Sequence, residues 1–364
     1  LSGTYTIDST TKASSTNYTS FRDAISDLLN GTRASGTANG PGVSSSVTFE
    51  VADGLYEQQL DITAISGASG TNRITFRSKS GNRNKVILID TSNSSSANYL
   101  IHFDGASFIT FRDMTLSKLS HSGTTSSTVL FLENNSDSNS FINNVILGDK
   151  ITSSYGSTVQ SVVVAGYNSS SYTYSQINNL LLDSNLIKYG SFSVFLYGNY
   201  SSGYDSGNIV RNNVIDSSYN YGLYAYYQSY LKIQSNTITN GLTNYYYGIY
   251  AYNNTEKNWI EKNKIILNNG GYGIYAYYSL STSKSNVFLI DNNFISLPIA
   301  SSTNIGIYHS YCQYINIFAN NIYINGGNTY SYGLYSYYYS GSPAQSNIYN
   351  NNVFNSGTGY SFYL

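Results

Sequence analysis

The sequence predicts an all-β solenoid of about eleven coils, opened by one short capping helix. Three observations predict it. A six-residue phrase recurs as Tyr221-Gly222-Leu223-Tyr224-Ala225-Tyr226, Tyr247-Gly248-Ile249-Tyr250-Ala251-Tyr252 and Tyr272-Gly273-Ile274-Tyr275-Ala276-Tyr277, then with changes at Ile305–Ser310 and Tyr332–Tyr337. Its glycines step by 26, 25, 33 and 27 residues, a period in the range of stacked structural repeats. A column of asparagines runs through most of the chain at a similar period. Proline is nearly absent, three in 364 residues, as expected where most backbone N–H groups enter ladders.

The chain opens with a Thr/Ser-rich stretch holding one alternating piece, Thr4-Tyr5-Thr6-Ile7. Ser20 then starts a helix. Phe21, Ile25, Leu28 and Leu29 fall at helical spacing, Asp23 follows Ser20 by three residues as in a capping box, and Asn30-Gly31 ends the run. The helix, near 20–30, is expected to plug the first coil, because a solenoid must cover its open end. Residues 31–46 are a Gly/Ser/Thr loop, so a cap over 1–46 and a solenoid over 47–364 are predicted. Val47-Thr48-Phe49-Glu50-Val51 is the first solenoid strand, and Asp53-Gly54 a turn. Ile74-Thr75-Phe76-Arg77 repeats word for word as Ile109-Thr110-Phe111-Arg112, one coil seen twice.

The asparagine column reads Asn144, Asn185, Asn213, Asn236, Asn263, Asn293, Asn321 and Asn352, with Met114 in the slot before them. The residue three before each slot is apolar or aromatic, from Phe111 and Phe141 to Phe318 and Tyr349, and so is the residue two after, from Leu116 and Ile146 to Tyr323 and Phe354. Short strands separated by an Asn at a corner fit this register. Asn tolerates the left-handed backbone of a tight corner, and its side chain bonds to neighbouring backbone. Stacked corners let successive Asn side chains bond one another at the strand spacing. The step of 41 from Asn144 to Asn185 holds extra loop, at Gly148–Gly156 or Tyr167–Ser175, of the kind that builds binding surfaces. Tyr360-Ser361-Phe362-Tyr363 restarts the repeated phrase, so the natural chain is expected to continue past Leu364, or rods to meet end to end.

The Gly-Ile-Tyr-x-Tyr strand followed by Ile-x-x-Asn-x-Ile resembles the right-handed parallel β-helix repeats of the pectin-lyase-like and NosD-like superfamily. The segments Leu1–Ile7, Val47–Phe49, Asp53–Glu57, Ile65–Ser69 and Ile74–Phe76 are similar to the opening region of large secreted surface proteins of Bacteroidota. The resemblance implies a right-handed β-helix at an extracellular or cell-surface location. It also implies export by the type IX system, which reads a C-terminal sorting domain that is not evident in this sequence. Its motifs are structural and speak to fold rather than activity.

Composition excludes several classes of function. Charged residues are 10% of the chain and the net charge is -1, which argues against a nucleic-acid binder, for that needs a basic face. No apolar run is long enough to insert in a membrane. One cysteine, Cys312, allows no intrachain disulfide and reads as a buried thiol. No metal or cofactor site is predicted.

Enzymes on the resembled fold mostly cut acidic polysaccharides, with clustered aspartates and a Gly-His-Gly element, or with calcium-binding aspartates and a basic residue. This sequence has no adjacent Asp pair and no His between glycines. The densest mixed cluster holds His102, Asp104, Arg112, Asp113, Lys118 and His121. Catalytic candidates are therefore Asp104, Asp113, His102 and His121, with Asp104 and Asp113 facing each other across a coil boundary. The bland alternative is solvated turn residues bracketing strands. Glu256, Lys257, Glu261, Lys262 and Lys264 read as a screened surface strand.

The tyrosines, 40 in all, carry the most information. Strand alternation sends Leu223 and Ala225 to one face and Tyr224 and Tyr226 to the other. Two outward columns follow. One is Phe195, Tyr224, Tyr250, Tyr275, Tyr308 and Tyr335. The other is Tyr197, Tyr226, Tyr252, Tyr277, Ser310 and Tyr337. They read either as a self-supporting ladder or as an amphipathic sheet that binds sugar rings or another protein. The leading expectation is an exported, non-catalytic surface protein acting in adhesion, glycan binding or assembly through this sheet. Its partner would be a polysaccharide, another surface protein or a further copy of itself. The alternatives are a polysaccharide lyase or glycoside hydrolase, and a passive spacer.

Overall fold

The computed structural model describes residues 1–364 apart from 93–98, 120–127, 152–160, 169–172, 202, 244, 299–302 and 338–345. Three long sheets run the length of the chain, of 13, 11 and 11 strands, all paired in parallel. Each coil visits the three in turn, from Val47–Val51, Gly54–Glu57 and Leu60–Thr63 to Ser346–Tyr349, Asn352–Asn355 and Tyr360–Tyr363. The second and third sheets thus hold eleven rungs joined by ten turns, a rod on the order of 50 Å long at the usual strand spacing.

Alternating side chains fill the interior. Phe49, Phe76 and Phe111 are fully buried and stack with centroids 4.8 Å apart, and Ile74–Ser78 pairs in register with Ile109–Arg112. Further along, Leu182, Val210, Ile233, Ile260 and Ile290 continue that inner row.

The cap continues the solenoid. Gly3–Ile7 pairs with Val47–Val51, and Asn17–Tyr18 pairs with Gly3–Ile7, so the first sheet runs two strands beyond the first coil. The helix Phe21–Asn30 lies over the end of the core, with the ring of Phe21 5.2 Å from that of Tyr56 and 5.8 Å from that of Phe76. Ser20 Oγ accepts the Asp23 N–H at 3.0 Å. The reciprocal half of the capping box is absent, because Asp23 turns to the Ala34 N–H at 2.7 Å. Gly31 closes the helix in the left-handed region, φ 63°.

The asparagine ladder forms as a buried stack. Asn185 Oδ1 accepts the Asn144 N–H at 2.9 Å, while Asn185 Nδ2 donates to Phe141 O at 2.8 Å and to Asn213 Oδ1 at 3.0 Å. The same bonds repeat at Asn213, Asn236, Asn263 and Asn293. Two assignments are corrected. The ladder passes from Asn293 to Asn320 and then Asn351, whereas Asn321 and Asn352 are exposed residues that open the next strands. The inner aliphatics Ile317 and Ile348 fix that register, while Phe318 and Tyr349 point outward and stack on each other. The left-handed residue is also not the ladder Asn but the one before it, as at Asn143, Ser184, Asn212, Ser235, Lys262, Asn292, Ala319 and Asn350.

The connection from the third sheet back to the first carries further ladders that sequence reasoning missed. Asn139, Asn208 and Asn258 accept the N–H groups of Ile109, Leu180 and Leu231. Where the third sheet turns back to the first, Asp205, Gln228, Asn254, Ser279 and Cys312 are buried. Cys312 is buried as expected, and burial pushes its thiol up to about 12. The glycine of the repeated phrase is needed for close approach. A Cβ on Gly248 would lie 2.6 Å from Gly273 O and 2.8 Å from Ile265 Cγ2.

Candidate functional site

The outer face of the third sheet gathers most of the residues that sequence reasoning singled out. Register places Phe195, Tyr224, Tyr250, Tyr275, Tyr308 and Tyr335 in one column and Tyr197, Tyr226, Tyr252, Tyr277, Ser310 and Tyr337 in the next. A third column was missed: Phe192, Tyr221, Tyr247 and Tyr272, then Ile305, Tyr332 and Tyr360. Strict alternation counted back from Leu223 sends Tyr221 inward. Gly222 breaks that count, and the Tyr221 ring stands 5.4 Å from Tyr224 at 88°.

The rings form a herringbone floor. Within the Tyr224 and Tyr221 columns they are nearly parallel, as for Tyr224–Tyr250 (4.8 Å, 9°) and Tyr250–Tyr275 (5.0 Å, 3°), whereas Tyr197 meets Tyr226 edge-on at 82°. Between columns they are perpendicular, as for Tyr247–Tyr250 at 89°. Both are favoured ring geometries. Most rings are half-buried by their neighbours. Burial raises the phenols of Tyr197, Tyr224, Tyr226, Tyr247, Tyr250 and Tyr275 well above their ordinary range. The floor is thus a neutral array of hydroxyls and ring edges.

At the N-terminal end of the floor one of the two stretches expected to hold the extra loop, Tyr167–Ser175, contains an antiparallel pair, Tyr167–Asn168 with Thr173–Tyr174, while most of the other, Gly148–Gly156, lies outside the described residues. Tyr174 stacks on Tyr197 at 5.2 Å and 24°. The hairpin and the sheet enclose an open cleft of about 300 Å³, lined by Tyr167, Tyr174, Phe192, Phe195, Tyr197, Tyr221 and Tyr224.

The charged cluster lies on the same face, nearer the cap. His102 is the rung below Phe131 in the Tyr224 column, and the two rings stack at 4.8 Å and 12°. Its Nδ1 bonds Asp61 Oδ1 at 3.1 Å and its Nε2 bonds Glu133 Oε1 at 2.8 Å. Tyr99 also donates to Asp61, and Asn168 of the hairpin donates to Glu133 Oε2 at 2.8 Å. Burial works against a charge on His102, but hydrogen bonds to Asp61 and Glu133 outweigh it and carry the imidazole up to about 9. The bond from His102 holds Asp61 below its usual range. Burial opposes ionisation of Glu133, yet the bonds from His102 and Asn168 hold it low as well. At neutral pH this is an imidazolium clamped by two carboxylates, with both N–H groups already donated.

The catalytic candidates therefore do not form one site. Asp104 ends the third-sheet strand beside His102 and accepts from Asn134 Nδ2 at 2.6 Å. Asp113 is remote, on the corner between first and second sheets (φ 60°), held by Arg112 Nε at 2.7 Å and Asn143 Nδ2 at 2.8 Å. The expected facing of Asp104 and Asp113 is overturned, because the two fall on different corners of the coil. His121 lies outside the described residues. Asp61 and Glu133, the actual partners of His102, were missed because they stand 41 and 31 residues away, and only the coil register brings them together. The charged run expected as one surface strand is split: Glu256 takes a left-handed turn (φ 56°) and accepts from Thr282 and Asn286, Lys257 lies 5.1 Å from the Trp259 ring, Glu261 ends the strand Trp259–Glu261, Lys262 takes the corner (φ 58°) and Lys264 opens the next strand.

Fold and face together define a parallel β-solenoid with a long aromatic side. The family model described as right handed beta helix region matches residues 201–364. The fold is a right-handed one of that kind. Among solved structures, the chain is similar to the lacto-N-biosidase of Eubacterium ramulus, at 7% identity and TM-score 0.54, over 96% of this chain and 67% of that one. It is also similar to a surface protein and adhesin of Streptococcus pneumoniae, PfbA, at 14% identity and TM-score 0.43, over 87% and 95% of the two chains. The Dettilon tailspike protein matches at 12% identity and TM-score 0.47, over 98% and 66%. The likeness to the lacto-N-biosidase is one of fold. Among curated proteins none matches. Among the described residues no helix is long and apolar enough to cross a membrane.

Proposed function

We propose that the third sheet is a binding face for a polysaccharide, on an exported, non-catalytic protein displayed at the cell surface. The observation that supports this reading most is the cleft where the hairpin rises over the floor. Aromatic walls with nearby hydroxyls and amides are the chemistry that holds a sugar ring, one face apolar and its edge polar. The floor then continues the site along the rod, with a tyrosine in nearly every rung. Tyr197, Tyr224, Tyr226, Tyr250, Tyr252, Tyr275, Tyr277, Tyr308, Tyr335 and Tyr337 are the proposed contacts.

A carbohydrate-cleaving site has one observation in its favour, a histidine between two carboxylates on the same face. The clamp weighs against it, since each ring nitrogen is already bonded to a carboxylate. Self-association through the floor is the other use of such a surface.

The test is binding to a panel of immobilised polysaccharides, compared between the wild-type chain and Tyr174→Ser with Tyr197→Ser. Retention of a polysaccharide that falls at least about tenfold in the variant is the expected result. Unchanged binding in the variant, or no binding by the wild type, overturns the reading. Release of reducing ends during the incubation would favour the cleaving site instead.

A further inference from the structure

The face that the proposed function assigns to a polysaccharide has a marked charge pattern. The charged residues on the strands of the third sheet are Asp61, His102, Asp104 and Glu133, and no Lys or Arg stands on any of them. Three carboxylates against one imidazolium leave a net charge of about −2 on the sheet at the head of the face, with Arg22 of the helix beside Asp61 at its cap end. Glu133 lies two rungs from Tyr197 in the same column, about 10 Å at the strand spacing and so within roughly one Debye length of the cleft.

Resting on the reading of this face as a polysaccharide site, we propose that it takes neutral polysaccharides and excludes polyuronates and other acidic chains. The floor offers a bound chain phenolic hydroxyls, ring edges and, at its head, carboxylate oxygens. Asp61 is largely exposed, and its side chain has oxygen surface to spare. All of these suit sugar hydroxyls, which both donate and accept. No group on the sheet itself supplies the cation that a uronate needs when it leaves water. A polysaccharide long enough to follow the floor past the cleft would run its own carboxylates over those of Glu133 and Asp104. Such like-charge contact is a device for rejecting a partner.

The experiment measures binding of the whole chain to a neutral β-glucan and a xylan against polygalacturonate and alginate, at low and at physiological salt. The neutral polymers are expected to bind at least about tenfold more tightly, with a margin that narrows as salt screens the carboxylates. Asp61→Asn with Asp104→Asn should narrow it several-fold at low salt, with some loss of melting temperature because Asp61 holds Tyr99 and His102. If that pair unfolds, Asp104→Asn alone is used, since among the described residues its carboxylate bonds the Asn134 side chain alone. Acidic polymers bound as well as neutral ones, or a margin that the variants and salt leave unchanged, overturns the inference while the polysaccharide site stands. Binding of no polysaccharide at all removes the site itself, and this inference with it.

Discussion

At the corner between the first and second sheets two neighbouring residues divide the work. One adopts the left-handed backbone, a place taken by Asn, Ser, Lys, Asp or Ala. The next points inward, and where it is Asn it satisfies backbone groups of the rungs on either side. Replacing Asn236 by Ala strips partners from the Asn213 N–H and Val210 O, both in the interior. A loss of about 3 kcal/mol is expected in denaturant unfolding, against about 0.5 kcal/mol or less for Asn321→Ala on the surface. Equal losses would restore the column as read from sequence. Asp205 occupies a comparable corner slot with a carboxylate. Its Oδ1 accepts the Ile177 N–H at 3.0 Å and its Oδ2 accepts Gln228 Nε2 at 3.0 Å, with Asp137 the nearest other acid. Burial lifts it to about 8, far above the value of about 3.9 in an unfolded chain. Between those limits unfolding releases a proton, so Asp205 lowers stability progressively as pH rises from 4 to 8. Asp205→Asn should match the wild type in urea unfolding near pH 4 and exceed it near pH 8. Parallel pH profiles would show that the carboxyl is ionised in the fold.

The repeated strand is also a compromise between neighbours. Its inner aliphatic and its outer tyrosines could be assigned from alternation, because a period of two is rigid once one face is buried. Gly222 and its equivalents escaped that logic. They let the second-sheet isoleucines approach the third sheet, and they free the preceding tyrosine to join the floor. Gly248→Ala should cost about 1–3 kcal/mol and shift the Tyr247 ring, visible as a change in near-ultraviolet circular dichroism. A silent substitution would mean that the approach is looser than the 2.6 Å contact indicates. The hairpin Tyr167–Tyr174 was legible as one of two places for extra residues in a long step. Its closure over Tyr197 was not, because an antiparallel pair of two residues leaves no periodic trace. The charge clamp was legible only at His102. Its other members lie on different rungs, and contact across rungs depends on the length of every loop between.

For the whole molecule, the number of coils and the course of the chain could be read from one column of asparagines and its apolar neighbours, and the rod bears that out. The two slips at Asn321 and Asn352 arose where Asn-Asn pairs offered either residue as the corner, and inward aliphatics decided between them. The three-sided cross-section goes with the resemblance to parallel β-helix repeats, and the additional ladders between the third and first sheets help it hold its shape. Contacts in such a body are made almost entirely between adjacent rungs. That has a mechanical consequence. The inter-rung hydrogen bonds lie along the rod, so tension applied at its two ends loads one rung boundary after another in series. The rod yields at its weakest boundary, and added length brings no added strength. Force applied across the rod is shared by all three sheets and by the rings packed on the third. A protein of this build tolerates a sideways drag far better than an end-on pull, and a chain held flat along its tyrosine face is held in its stronger direction.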